Sequence, residues 1–277
     1  MICKRSMVPS SAALLGRLRL CRALLGVAYL VVAGALSGSG AWAQDLPGAL
    51  VYLRDVAPNI LQDMRYAGSD NFTGQPVPGY GAAECVLIRP AAEALARVQR
   101  DLFARKLFLR VYDCYRPQRA VRAFMEWAAD GKTSPSTKRF YPRLEKHQLV
   151  GLGYIARRSS HSRGTTVDLT MVEPSEAKAG TQPVGSRGAC TDPAEARPGD
   201  GSVDMGTSFD CFDVRSHTAA AGLTTEQRRW RQLLLEAMAR QGFRNYWREW
   251  WHFTYEPAAA TPAFDVPIVP RETTVKK

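Results

Sequence analysis

Residues 159–170, SSHSRGTTVDLT, constrain the architecture more than any other stretch of the chain. The end of this stretch opens an apolar run that predicts a β-strand over residues 167–172. A turn at residues 163–164 would fold the chain back, so that His161 and Asp168 approach one point. An imidazole and a carboxylate that meet in this way can share a metal ion.

A second stretch, EWWH at residues 249–252, supplies a third ligand far along the chain. Two histidines and one carboxylate around an open fourth position form a catalytic zinc arrangement, and His161, Asp168 and His252 meet that description. Glu249 can act as general base on a metal-activated water. Each motif alone is weak, because single histidines mostly serve core or surface roles and Glu249 can equally pair with a neighbouring arginine.

Helical and strand patterns mix along the chain without a regular β-α-β rhythm. We therefore predict a single α+β domain with a small, largely antiparallel sheet, flanking helices and a zinc site at the sheet. Residues 131–150 are expected to form a polar excursion and residues 173–203 a long surface loop. The remaining elements are helices that begin at Pro90, Pro117 and Thr224 and strands over Leu107–Tyr112 and Trp251–Tyr255.

The first 43 residues differ in composition from the rest. Five basic residues precede or enter an apolar run over 23–36, and Ala41-Trp42-Ala43 follows as a cleavage site of the A-x-A type. We predict a signal peptide at 1–43 and a catalytic domain at 44–277 that is exported, to the periplasm, without stable membrane insertion. A membrane anchor is the alternative, since the run approaches the lower limit for a span.

The charge balance argues against a nucleic-acid partner. The full chain carries a formal charge of +11, from 37 basic and 26 acidic residues. Loss of the five leader residues leaves 32 basic residues and a charge of +6. Such modest basicity, without a block of Lys and Arg, favours no nucleic-acid function.

Four of the six cysteines lie after the leader, which suggests two disulfides in an oxidising compartment. The sequence allows three pairings. We favour Cys85–Cys114 and Cys190–Cys211, because the second pair would close the long loop onto its own far end. A zinc-thiolate site is the alternative, but no C-x-x-C pair is present.

Several longer motifs run through the chain in a fixed order: DMRYA (63–67), DNFTG (70–74), YRPQRAV (115–121), SSHSRGTTVDLT (159–170), GTSFD (206–210), RSH (215–217) and EWWH (249–252). In sequence and order they resemble the zinc D-alanyl-D-alanine dipeptidase family, of the vancomycin-resistance dipeptidase type. The resemblance covers nearly the whole mature chain. It implies a zinc peptidase whose substrate is the small dipeptide D-Ala-D-Ala.

The resemblance also implies the catalytic roles. His161, Asp168 and His252 match the ligands of one zinc ion per chain, Glu249 matches the catalytic base, and Arg116 matches the arginine that stabilises the oxyanion. These roles agree with what peptide hydrolysis requires: activated water, a Lewis acid and positive charge at the developing oxyanion.

Four further positions match substrate-binding residues of the family. Asp210 matches the acid that holds the substrate ammonium group, and Tyr66, Tyr154 and Ser159 fall at pocket positions. The family pattern gives no ligand role to the other two histidines, His147 and His217, and we expect both to be structural or to support the site from behind.

Three rival functions remain open. A D,D-carboxypeptidase on longer peptidoglycan stem peptides shares the H-x6-D and E-x-W-H elements. A non-catalytic zinc-bearing wall-binding module needs neither Glu249 nor Arg116. A serine hydrolase would use Ser160 beside His161, but there is no G-x-S-x-G elbow. An exported dipeptidase meets dipeptide released from peptidoglycan, which favours salvage over antibiotic resistance.

Overall fold

The computed structural model describes residues 46–175, 188–197 and 199–271. These residues belong to one compact unit of the chain. The expected leader, residues 1–43, lies outside the described residues, and the signal peptide therefore stays a prediction. Within the described ranges, no helix is both long and apolar enough to cross a bilayer.

Two sheets form the framework of the described fold. Their strands are β1 (Leu50–Tyr52), β2 (Leu61–Gln62), β3 (Val86–Ile88), β4 (Phe108–Asp113), β5 (Thr166–Val172), β6 (Phe243–Asn245) and β7 (His252–Tyr255). The larger sheet has the order β2-β4-β5-β7-β6, and β1 pairs with β3 in the smaller one. Every neighbouring pair is antiparallel except β2 and β4. The α+β class is confirmed and the sheet is largely antiparallel, as predicted, with one parallel pair at its edge.

Strand β5 lies at the middle of the larger sheet and is buried along its whole length. A strand covered on both faces is held in one register, because slipping by one residue would turn every side chain to the other face. That register places Asp168 beside Asp113 of β4 on one side and beside His252 of β7 on the other. The centre of the sheet thus brings residues from three distant parts of the chain to one point.

Helices pack around this framework. The described α-helices are α1 (Leu53–Val56), α2 (Arg89–Phe103), α3 (Gln118–Ala129), α4 (Pro135–Lys138), α5 (Gln148–Gly151) and α6 (Thr225–Ala239). The predicted helices at Pro90, Pro117 and Thr224 are therefore confirmed. The region 131–150 is less irregular than expected, since α4 and α5 lie within it. A capping box between Ser134 and Thr137 begins α4.

In helix α2, apolar residues at helical spacing form the face that packs into the core. Leu95, Val98 and Leu102 are buried, and each such side chain contributes about 1.5–3 kcal/mol on burial. Gln99 lies on the same helix, is fully buried, and is satisfied at both ends of its amide. Its Nε2 donates to the Leu107 carbonyl at 3.1 Å, and its Oε1 accepts from the Leu109 N–H at 2.7 Å. The helix is thereby tied to the start of β4.

Where it is described, the segment 173–203 is mostly exposed or half-buried and irregular, in line with the predicted surface loop, but parts of it are held against the core. Residues 176–187 and 198 lie outside the described residues. Cys190 is buried, and the Asp200 carboxylate accepts hydrogen bonds from the hydroxyl of Tyr112 and, at 3.4 Å, from Arg65. A disulfide and a partly buried ion pair hold these parts against the core, which composition alone could not predict.

Both favoured cysteine pairs form disulfides in the structure. The Cα atoms are 5.3 Å apart in Cys85–Cys114 and 5.4 Å apart in Cys190–Cys211, within the usual range. The first bond joins the ends of β3 and β4. The second joins the described part of the 173–203 segment to the residue that follows Asp210.

Candidate active site

The three predicted metal ligands converge at the centre of the larger sheet. His161 lies in a 3₁₀ helix, Ser160–Arg163, that Ser159 caps by accepting from the His161 N–H at 3.3 Å. The helix ends at Gly164, whose φ of 68° is left-handed. A Cβ there would lie 2.7 Å from a methyl group of Leu50, so only glycine allows this turn into β5.

The ligand atoms form a nearly equilateral triangle. His161 Nε2 lies 3.3 Å from both Asp168 Oδ1 and His252 Nδ1, and the last two atoms are 3.1 Å apart. A tetrahedral ion with nitrogen and oxygen ligands at about 2.0–2.2 Å needs ligand atoms roughly 3.3–3.6 Å apart. Asp168 Oδ1 is also buried without a hydrogen-bond partner in the described structure. The group therefore fits a metal ion and leaves a fourth position open.

Hydrogen bonding behind His161 selects its ligand nitrogen. The Nδ1 atom lies 2.7 Å from the Cys114 carbonyl oxygen, which can only accept. Nδ1 therefore carries the proton, and the lone pair of Nε2 points to the metal position. The Asp113 carboxylate also lies 3.3 Å from Nδ1. A carbonyl next to the Cys85–Cys114 disulfide thus orients a metal ligand.

The electrostatics favour ligands in their metal-binding forms. Burial opposes ionisation of Asp168, but the two imidazoles outweigh it and lower the pKa of this carboxyl below its usual range. Burial lowers the pKa of His252, which keeps its imidazole neutral. An ionised carboxylate and neutral imidazoles are the species that coordinate metal ions.

Arg116 lies beside this group as a fixed positive charge. Its Nη2 is 2.7 Å from Asp113 Oδ2 and 3.7 Å from Asp168 Oδ2. The guanidinium carbon stacks 5.2 Å from the ring centre of Tyr66 and 5.0 Å from that of Phe124. Burial opposes its charge, yet Asp113 together with the other acidic groups around it outweighs burial and raises the pKa of Arg116 above its usual value. Asp113 thus holds the Arg116 guanidinium in place beside the ligand group.

Glu249 lies on the other side of the ligand group. Its Oε2 is 3.5 Å from His252 Nδ1, and its backbone N–H donates to the Tyr246 carbonyl at 2.9 Å. Burial, followed by the negative charges of Asp168 and Asp210, raises the pKa of Glu249 well above its usual range. A carboxylate with a raised pKa can accept a proton and later release it.

A cavity of about 300 Å³ opens over these groups. Its lining includes every predicted catalytic and substrate-binding residue, and two of the three ligands: Tyr66, Arg116, Tyr154, Ser159, Asp168, Asp210, Glu249 and His252. The third ligand, His161, is fully buried behind them. This volume is at the small end of the range for ligand pockets, which favours a small substrate.

Asp210 is held in an unusual backbone conformation. Its φ of 56° is left-handed, and its Oδ2 accepts from the Tyr66 hydroxyl at 2.7 Å. Burial, followed by the charge of Asp168, raises the pKa of Asp210 to about 8. A buried carboxyl in this state gains a partner when a cation enters the cavity.

The cavity also contains residues that the sequence analysis missed. Arg158 and Tyr246 line it, together with three phenylalanines that form an apolar wall: Phe72, Phe124 and Phe212. The Tyr246 hydroxyl donates to the Gly153 carbonyl at 3.3 Å, which joins two stretches of the wall. Closeness in sequence to predicted site residues could have identified two of them, since Arg158 precedes Ser159 and Tyr246 lies three residues before Glu249. His217 and His147 are not among the residues that line this cavity.

The chain is similar to known peptidases along most of its length. The model of the peptidase M15 family, described as D-ala-D-ala dipeptidase, matches residues 48–179 and 172–269. Proteins named D-alanyl-D-alanine dipeptidase from Enterococcus faecium and Streptomyces coelicolor are each 33% identical to the chain. The first match covers 78% of this chain and 96% of the relative, and the second covers 80% and 100%. A protein of the same name from Escherichia coli is 30% identical over 77% of this chain and 88% of its own length.

Proposed function

The chain belongs to the D-Ala-D-Ala dipeptidase family of metal-dependent peptidases, and on that premise we propose that it is an exported zinc enzyme that hydrolyses free D-alanyl-D-alanine. The observation that carries the proposal is the convergence of His161, Asp168 and His252 at 3.1–3.3 Å, beside Glu249 and Arg116. A binding module needs the first three residues but has no use for the last two.

Zinc is the proposed metal because of the donor set. Two imidazole nitrogens and one carboxylate oxygen around an open position are typical of catalytic zinc, whereas magnesium and calcium prefer oxygen ligands throughout. When bound at this site, the ion supplies Lewis acidity and activates water as a nucleophile. His161, Asp168 and His252 would hold it.

The surrounding residues account for the proton and charge transfers of hydrolysis. Glu249 takes a proton from the attacking water as the oxygen bonds to the peptide carbonyl carbon. Arg116 stabilises the negative charge that develops on the carbonyl oxygen. Glu249 then returns the proton to the leaving nitrogen as the C–N bond breaks, and two molecules of D-alanine result.

Asp210 is the proposed anchor for the substrate ammonium group. The hydroxyl of Tyr66 holds its carboxylate, and a cation at this position offsets the cost of the buried negative charge. A free dipeptide has its ammonium group close to the scissile bond, whereas a longer stem peptide has an amide there. The small cavity and Asp210 therefore favour the dipeptide over the pentapeptide. Tyr154 and Ser159 complete the proposed pocket.

Export rests on the leader and on the cysteines. Residues 1–43 have the order of a signal peptide, and two disulfides are expected in an oxidising compartment such as the periplasm. N-terminal sequencing of the protein from a periplasmic extract should find a mature chain that begins near Gln44. Recovery of the uncleaved chain in the membrane fraction would instead favour an anchor.

The proposed reaction is tested by metal analysis combined with turnover. The purified mature protein should contain about one zinc ion per chain, hydrolyse D-Ala-D-Ala, lose activity on chelation and regain it when zinc is returned. A pentapeptide ending in D-Ala-D-Ala serves as the matched second substrate. Faster hydrolysis of the pentapeptide would identify a D,D-carboxypeptidase, and zinc binding without hydrolysis of either substrate would identify a binding module.

A further inference from the structure

The charges that line the cavity are unevenly distributed. Asp168, Asp210 and Glu249 contribute three acidic groups, and Arg116 and Arg158 contribute two cations. A zwitterionic dipeptide brings a carboxylate into this environment as well as an ammonium group. Without a cation of its own, that carboxylate would lose hydration and face the three acids.

Arg116 is already engaged. Its guanidinium is 2.7 Å from Asp113 and 3.7 Å from Asp168, and it is stacked on two aromatic rings. Within the proposed mechanism it also faces the scissile carbonyl. It therefore has little capacity for a second anion at the far end of the substrate.

Arg158, unlike Arg116, has its guanidinium available for a ligand. The residue lines the cavity, is exposed, and makes no side-chain hydrogen bond or ion pair with any residue in the described parts of the chain. It immediately precedes Ser159, whose Oγ accepts from the His161 N–H and so keeps its own hydroxyl proton available as a donor. A guanidinium and a hydroxyl on adjacent residues form a suitable pair of donors for a carboxylate.

We propose that Arg158 binds the free C-terminal carboxylate of the substrate and makes the enzyme selective for peptides that end in an unmodified acid. The inference rests on the proposed function, because it assumes a short peptide substrate. It does not depend on the length of that peptide, since the dipeptide and a longer stem peptide share the same C-terminal carboxylate.

The experiment compares D-Ala-D-Ala with its C-terminal amide, which lacks the negative charge. The variant Arg158→Ala should raise KM for the acid about ten-fold, the effect of losing one charge-assisted hydrogen bond, with kcat little changed. KM for the amide should not change. Arg158→Lys keeps the charge but loses the planar fork, and should fall between the wild type and Arg158→Ala.

Arg157 provides the matched control. It is the adjacent arginine, is also exposed, and is not among the cavity-lining residues of the described structure. Arg157→Ala should leave KM for both substrates unchanged. An unchanged KM for the acid in Arg158→Ala, or an equal rise for acid and amide, would overturn the inference.

Failure of the proposed function has a different signature. If the wild type hydrolyses neither D-Ala-D-Ala nor its amide, the dissociation constant of D-Ala-D-Ala for the metal-free protein still tests Arg158. Weaker binding in Arg158→Ala than in Arg157→Ala supports the inference. Equal binding in the two variants, or no binding to the wild type, overturns it.

Discussion

The two sides of the cavity are built by different means. The ligand side depends on strand register, which places Asp168 and His252 opposite each other in neighbouring strands of a buried sheet. The Asp210 side depends on a segment with little regular structure, which the Cys190–Cys211 disulfide and contacts with the core hold in place. Sheet register fixes which residues lie opposite each other, whereas a crosslinked loop without regular hydrogen bonding keeps more conformational freedom. Metal affinity and substrate affinity should therefore respond to different substitutions.

The largest effect is expected at the ligand side. His252→Ala should lose metal and activity together, because two remaining ligands do not hold the ion against competition from solvent. Metal content after dialysis and kcat are the two measurements. A variant that kept both stoichiometric metal and turnover would remove His252 from the ligand set.

Substitution of Glu249 distinguishes a role in catalysis from a role in metal binding, within the same motif that contains His252. Glu249→Gln keeps the size of the side chain, so metal content should stay near one ion per chain, while kcat should fall by about 10²–10⁴-fold, the usual contribution of a general base. Parallel measurements of metal and kcat are compared with those on His252→Ala. Equal loss of metal in both variants would point to a structural role for residues 249–252.

Arg116 tests the positive charge between the two sides. Arg116→Ala should retain metal and lose about 2.7–4 kcal/mol of transition-state stabilisation, as for the loss of one oxyanion donor. This corresponds to a fall of about 10²–10³ in kcat, measured at saturating substrate. Arg116→Lys, which keeps the charge without the fork, should recover part of the loss. If kcat of Arg116→Lys were no higher than that of Arg116→Ala, the geometry of the guanidinium and not its charge would explain the loss.

The Cys85–Cys114 disulfide tests the difference between the two sides of the cavity, because it lies on the ligand side. The double variant Cys85→Ser with Cys114→Ser opens a crosslink between residues 29 apart, at a cost of about 3–4 kcal/mol of unfolding free energy. Because the Cys114 carbonyl orients His161, metal affinity should also fall, by about 10–100-fold as for other changes behind a metal ligand. Denaturant unfolding and metal titration measure the two effects.

The second disulfide is the control for the first. The double variant Cys190→Ser with Cys211→Ser opens a crosslink between residues 21 apart and should lose about 3 kcal/mol of stability. Metal affinity should be unchanged, whereas KM should rise several-fold, on the order of 1 kcal/mol of binding, because Asp210 adjoins Cys211. Similar losses of metal affinity in the two double variants would contradict the division of the cavity into two sides.

The local sequence pattern was sufficient to predict the secondary-structure elements that have strong apolar periodicity. The buried stripe of α2 and the capping box of α6, formed by Thr224 and Gln227, depend on residues within a few positions of one another, and both are present in the structure. The spacing between His161 and Asp168 likewise lies within one turn and one strand. The choice of His252 as third ligand rested on the donor set and on the family motifs, since pairing between β5 and β7 depends on contacts across the whole domain.

Features that depend on distant contacts were missed. The strand β2 has two residues and pairs in parallel with β4, which no local periodicity can reveal. Asp200 lies in a segment rich in glycine and proline, yet it forms a partly buried ion pair with Arg65 and accepts a hydrogen bond from Tyr112. Arg158 resembles any other exposed arginine until the cavity beside it is known.

The left-handed backbone at Asp210 also limits how this family member can evolve. Most side chains at such a position cost about 1–2 kcal/mol, and asparagine, aspartate and glycine are the residues that adopt it readily. Substitution to lysine or glutamate would combine that backbone cost with a change in the cavity. We therefore expect asparagine to be the most readily accepted substitution at this position. It has the same shape as aspartate, removes the negative charge from the pocket, and can be reached by a single nucleotide change.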